Sequence, residues 1–346
     1  MNLKPATKGI RRFPAGSHRH PGFAMLIPLY WAEARQQRIV NGRQWTIRRW
    51  GWSDESLSDA QLTAETRVEK AFGQVAEGVE LPRRERKMAY NGAGGAPIRE
   101  EVVARDGETI VTRNVYGALC LNTPDVMFVD IDVEDRPPSR WFYGWWLAGA
   151  VLILFSQGMF PSPWLAWLMA VLVPPLVVPV ANQLLQRARG GARAIAMARI
   201  KRFSIRHPEW NLRVYETPLG FRLLAMHRTF DPHDDLVAGC FQELGCDPVY
   251  MRMCLHQRCF RARVSPKPWR MGMAEPLRPR RGVWPLPPEK LVIRQAWVRE
   301  YDQRAVDYAS CRFVVHLGCD QVHASAEAVR RWHDDLSRAE SGLPIA

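Results

Sequence analysis

Apolar residues recur along the 346-residue chain with two periods, one of two residues and one near 3.6, and the changes between them predict its elements. Residues 1–22 show neither; rich in Gly, Pro, His and Arg, they are expected to form a flexible basic tail. Residues 38–50 set Asn41-Gly42 between two strand-like runs, the pattern of a tight β-hairpin. Residues 53–77 predict a helix with Ser53 or Asp54 as N-cap, and 82–97 a long loop. Strands are expected over 108–115, 117–121 and 126–133, a basic helix over 192–206, and a second β-hairpin over 212–227 turning at Pro218-Leu219-Gly220. Residues 231–246 predict a helix and 249–264 one or two strands. Residues 266–288, with seven prolines, predict an extended connector. The segments 288–317 and 324–340 carry apolar residues at helical spacing.

Between the strand-rich stretches, residues 141–186 are 46 positions without Asp, Glu, Lys, Arg or His, about twice the ~20 residues that cross a bilayer once. Gly158, Pro161 and Pro163 divide the run into expected spans at 141–158 and 163–183, the second kinked at Pro174, Pro175 and Pro179. Trp141, Trp145, Trp146, Trp164 and Trp167 suit a membrane interface, and the basic flanks, from Arg136 and Arg140 to Arg202, place both ends on the cytoplasmic side. The expected fold class is therefore α+β: a cytoplasmic sheet domain split into 23–138 and 187–346, an inserted transmembrane hairpin at 139–186, and C-terminal helices. The expected location is a bacterial-type inner membrane, multi-pass, with both termini cytoplasmic and the lipid bilayer as a partner.

Composition changes this picture in two ways. The net charge of +13, with ten Lys or Arg against Glu33 in the first 50 residues, calls for an anionic partner, either lipid headgroups or nucleic acid. The seven cysteines form an odd set without a CxxC pair, which argues for a reducing compartment. Cys254 and Cys259 with His256, and Cys240 and Cys246 upstream, match no standard zinc spacing, so buried thiols are expected.

The chemistry concentrates in residues 126–133, where an apolar β-branched run is interrupted by Asp130 and Asp132. On a strand these two carboxylates share one face about 7 Å apart, a spacing that can hold a hard cation such as Mg2+ or Mn2+. Later, Thr217 and Gly220 open a hairpin arm that ends in His227. The DxD strand followed by this hairpin resembles the catalytic core of the archaeo-eukaryotic primase superfamily, the primase-polymerase palm. The resemblance implies that Asp130 and Asp132 ligate catalytic metals and that His227 contacts nucleotide phosphates. It also implies that Thr217, Gly220 and Arg222 line the nucleotide site; Asp247 is the nearest candidate for a third acidic ligand. The implied activity is metal-dependent nucleotidyl transfer on a nucleotide or nucleic acid. Apart from the resemblance, the residues equally allow a non-catalytic membrane-anchored scaffold that holds an anionic partner on its basic sheet face and Pro-rich loop. A GxSxG elbow, a Walker loop, a dinucleotide fingerprint and an HExxH are all missing, so the corresponding hydrolase, ATPase, dehydrogenase and zincin readings lack support.

Overall fold

The computed structural model describes residues 25, 27–81, 97–133, 190–279 and 284–346, with scattered positions between 144 and 172. Strands β1 (Tyr30–Val40) and β2 (Arg43–Ser53) form an antiparallel ribbon. Its turn is Asn41-Gly42, both residues at positive φ (50° and 73°), the backbone that a two-residue turn matching strand twist requires. Helix α1 (Leu57–Ala76) lays Ala60, Ala64, Val68, Ala71, Phe72 and Val75 on this ribbon. The approach is close: a Cβ at Gly51 would lie 2.1 Å from the Ala60 carbonyl oxygen. The helix starts later than expected because Ser56 is the N-cap, its side chain accepting the Asp59 N–H.

Two four-stranded antiparallel sheets follow. The first runs in the order β3 (Glu101–Asp106), β4 (Thr109–Arg113), β5 (Leu119–Thr123), β9 (Phe260–Arg263). The second has the order β10 (Arg312–Gly318), β7 (Asn211–Thr217), β8 (Gly220–Ala225), β6 (Phe128–Asp132). The chain also forms helices α2 (Gly191–Arg206), α3 (Asp235–Leu244), α4 (Pro248–Gln257), α5 (Pro288–Ala305) and α6 (Ala324–Ser337). Strand β8 is buried along its whole length, so both faces of the second sheet are covered there. On one face Val129, Val214 and Leu223 join Ile200 and Phe203 of α2 and Phe241 of α3 in one apolar core. On the other, the buried His333 ring of α6 stands 5.3 Å from Phe128 and 4.6 Å from Tyr215. Tyr250 of α4 ties the two sheets together, its hydroxyl donating to the Phe128 carbonyl and accepting the Arg261 N–H.

Several expectations are corrected here. Residues 248–257 form a helix rather than strand, because Asp247 caps it and Pro248 fills its first turn, where a missing N–H costs nothing. Residues 312–318 form the edge strand β10 rather than the end of a helix, and 101–106 form a strand that the pattern does not predict.

The transmembrane hairpin is overturned, and with it the multi-pass inner-membrane location and the membrane part of the fold class. Among the described residues no helix is long and apolar enough to cross a membrane. Most of 134–189 lies outside the described residues. The physical reason is that a span needs one uninterrupted apolar helix of about 20 residues. An uncharged run satisfies only the compositional half of that condition.

Candidate functional site

Asp130 and Asp132 stand at the C-terminal end of β6, opposite Arg222 and Gly220 of β8, so the two carboxylates share one sheet face. Gly220 is required by closeness: a Cβ there would sit 2.0 Å from the Ile131 carbonyl oxygen. Thr217 closes the preceding turn by accepting the Gly220 N–H on Oγ1 at 3.1 Å.

Arg222 is only 3% exposed. Its Nη2 lies 3.5 Å from Asp130 Oδ1, and Nη1 donates to the Arg263 carbonyl of β9 at 2.7 Å. Its Nε is buried without a hydrogen-bond partner among the described residues. Burial is the largest influence and works against its charge, but Asp130 together with Cys311, Tyr250 and Cys120 outweighs it and holds the guanidinium above its ordinary value.

The turn after β9 supplies the rest. A short 3-10 helix, Pro268–Met271, is anchored by the buried Pro268 and Met271. It carries Lys267 and Arg270 within electrostatic reach of Asp132, and Lys267 senses Asp130 as well. Burial lowers the Lys267 pKa, and the neighbouring Arg263 and Arg270 lower it further, with the two aspartates pulling the other way. Arg270 is depressed by burial and by Arg263, and its Nη1 is buried with no hydrogen-bond partner among the described residues. Arg222, Arg263, Lys267 and Arg270 thus outnumber Asp130 and Asp132, four cations to two anions. Such a mixed site holds an anion more strongly than a bare cation.

Two acidic or basic candidates serve other ends. Asp247 is next to the pair, its N–H donating to the Asp130 carbonyl at 2.9 Å. Its carboxylate, however, is taken up by α4: Oδ1 and Oδ2 accept the Val249 and Tyr250 N–H groups, each at 3.1 Å. His227 lies five residues beyond Arg222 on the β8 side, about 16 Å along an extended chain, at the opposite end of the sheet from Asp132. It is buried between Trp210 and Phe230, at 4.7 and 5.5 Å between rings, and its Nδ1 accepts the Asn211 N–H at 3.4 Å. Burial and Arg228 push its pKa down, which favours the neutral imidazole. The fold therefore gathers Asp130, Asp132, Thr217, Gly220 and Arg222, and leaves His227 apart.

Among the described residues no group of three or more His, Cys, Asp or Glu is arranged to hold a metal ion, which corrects the expectation of metal binding by the protein's own ligand set. Cys240, Cys246, Cys254 and Cys259 are buried free thiols. Burial pushes their pKa values up, to about 11 for Cys240 and about 12 for Cys259.

No family model matches the chain, and no curated protein or solved structure matches it. The site must therefore be read from its own geometry. The residues the sequence reading missed are Lys267, Arg270 and Arg263; a signal for them existed in Lys267-Pro-Trp-Arg270, an aromatic between two cations inside a segment that otherwise reads as linker.

Proposed function

We propose that Asp130, Asp132 and the surrounding cations bind the phosphates of a nucleotide, with Mg2+ or Mn2+ entering together with it. The observation that carries this reading is the pairing of two same-face carboxylates with four cations, one of them the buried Arg222 with an unspent Nε. A small hard cation needs about six oxygens, and it is commonly held by one or two carboxylates while phosphates and water provide the others. Two carboxylates alone make a poor standing metal site, in keeping with the lack of a larger ligand cluster among the described residues. The cations alone would take any anion; together with the aspartates they favour one that arrives with its own counter-cation.

The reaction class we propose is phosphate-bond chemistry of the nucleotidyl-transfer kind, following the resemblance of the DxD strand and its hairpin to the primase-polymerase palm. A bound divalent ion would polarise a phosphate oxygen and offset charge developing there. Asp130 and Asp132 would hold that ion, Arg222 would fix Asp130, and Lys267 and Arg270 would take the phosphate role that the resemblance gives to His227.

Calorimetric titration with Mn2+ and a nucleoside triphosphate, on wild type and on Asp130→Asn with Asp132→Asn, tests this. Binding by wild type that tightens at least tenfold with Mn2+, and loss of that metal dependence in the folded variant, is the expected result. Absence of nucleotide binding in folded wild type would refute the reading and leave a non-catalytic scaffold as the one to pursue.

A further inference from the structure

Trp269 lies at the crest of the turn that delivers Lys267 and Arg270. Pro268 and Met271 of the same short helix are buried, yet its own indole is 55% exposed. The turn is stiff: Arg270 N–H donates to Lys267 O at 2.9 Å and Met273 N–H to Pro268 O at 3.0 Å. Arg304 of α5 adds a bond to Gly272 O at 3.2 Å. One edge of the indole meets Tyr116, with ring centroids 5.2 Å apart at 65°, and Lys267 Nζ lies 5.5 Å from the ring centre. Tyr116 in turn is within electrostatic reach of Arg263 and Arg270, so the aromatic pair and the cations belong to one locality.

Covering an indole in the core is the usual way to lower its free energy. Here the chain holds a rigid, half-exposed indole beside Arg270 and two residues from Lys267, both within electrostatic reach of the Asp132 carboxylate. The geometry points to Trp269 as a stacking platform for the base of the nucleotide whose phosphates the adjacent cations receive, so that the ligand is a nucleotide of any base rather than a simple polyphosphate or sugar phosphate. This inference rests on the phosphate site proposed above and adds to it the recognition of the base. Aromatic stacking reads the π-face that every base has, so it gives affinity with little choice among bases. Hydrogen-bonding edges that would select one base are not part of this platform.

The experiment is calorimetric titration, in Mn2+, of wild type, Trp269→Ala and Trp269→Phe with ATP, CTP and inorganic tripolyphosphate, with thermal melts run alongside. Wild type is expected to bind ATP and CTP within a few-fold of each other, and both about ten- to a hundredfold more tightly than tripolyphosphate. Trp269→Ala should bind all three alike, at the tripolyphosphate level, and Trp269→Phe should keep most of the preference. Should Trp269→Ala fail to fold, the Trp269→Phe variant and the wild-type comparison still decide the matter. Equal binding of tripolyphosphate and nucleotides by wild type would overturn the base platform while sparing the phosphate site. Failure of all three ligands to bind would overturn both.

Discussion

At the scale of single residues, the site depends on one position where no side chain fits and on one charge held out of its comfortable range. Gly220→Ala would drive a methyl group into the Ile131 carbonyl, 2.0 Å away, between the two aspartates. Relief requires β6 to shift, at a cost of about 1–3 kcal/mol. A lowered Tm together with weakened nucleotide binding is expected, whereas Gly42→Ala, with nothing within 4 Å of its Cβ, should affect stability through its positive φ and leave binding unchanged. Lys267 offers a second test. Burial and the neighbouring arginines lower its pKa beneath the ordinary 10.5, so its proton is lost earlier as pH rises. Phosphate affinity should therefore decline with rising alkalinity at a lower pH than an ordinary lysine would dictate. Titrations repeated with Lys267→Arg should show this decline removed, since a guanidinium stays protonated there.

At the scale of elements, α4 and the turn after β9 decide which acidic and basic groups reach the site. Asp247 is the informative residue, because it touches the Asp130 backbone yet spends both carboxylate oxygens on the first turn of α4. As a cap, Asp247→Ala should cost about 0.5–2 kcal/mol, and Asp247→Asn, which keeps an acceptor, much less. Denaturant melts of the two variants, set beside Mn2+-dependent nucleotide titrations, separate the roles. A third metal ligand would lose metal-dependent affinity in Asp247→Asn at unchanged stability, and that outcome would contradict the capping role. The Asp130–Asp132 strand and the hairpin opposite it were legible in the sequence, since alternation alone puts both carboxylates on one face. The cations were not, because a proline-rich run such as 266–288 carries no period that says which of its residues turn inward. Nor could hairpin length show that His227 would end up at the far end of β8; only the antiparallel register of β6 on β8 decides that.

At the scale of the whole molecule, α6 is fastened over the second sheet by a charged network. Arg213 of β7 binds Asp334 at 3.0 Å and Glu340 at 3.0 Å, while Arg330 binds Asp334 at 2.9 Å and Glu327 at 2.7 Å. Arg330, then Arg331, hold Glu327 down at a pKa of about 2, against burial. Burial would raise Asp334, but His333, Tyr215 and Arg213 outweigh it and keep it low. Both folded values lie below the unfolded ones, so this stabilisation is complete above about pH 4.5, the ordinary glutamate value, and fades as pH falls through the folded values. Acid titration of Tm should show a loss beginning below that pH, and Asp334→Asn should flatten it. A Tm independent of pH between 5 and 2 would contradict the network's role. Inward from the network, His333 Nδ1 donates to Asp334 Oδ1 at 2.9 Å and the ring's Nε2 meets Cys311 Sγ at 3.8 Å. Burial opposes the imidazolium, but Cys311 and Asp334 together raise its pKa. This contribution has the opposite sign: it is present below the unfolded value and lost as pH rises through the folded one.

The sequence by itself determined what short-range periodicity can determine. These are the Asn41-Gly42 hairpin, the amphipathic α1, the DxD strand and the β7–β8 hairpin. All are specified by residues within a few positions of one another, through turn backbone, capping and alternation. Tertiary structure decided the rest. It sends β9 to pair with β5 across more than a hundred intervening residues and makes β10 an edge strand of the other sheet. It also brings the Lys267–Arg270 turn within electrostatic reach of Asp130 and Asp132. Those choices depend on which apolar faces cover each other and which charges meet in a buried space, and such energies act between residues far apart in the chain. The uncharged stretch at 141–186 is the reverse case: its composition spoke clearly, but composition states what a segment lacks, and a membrane span has the further condition of one continuous helix of about 20 residues.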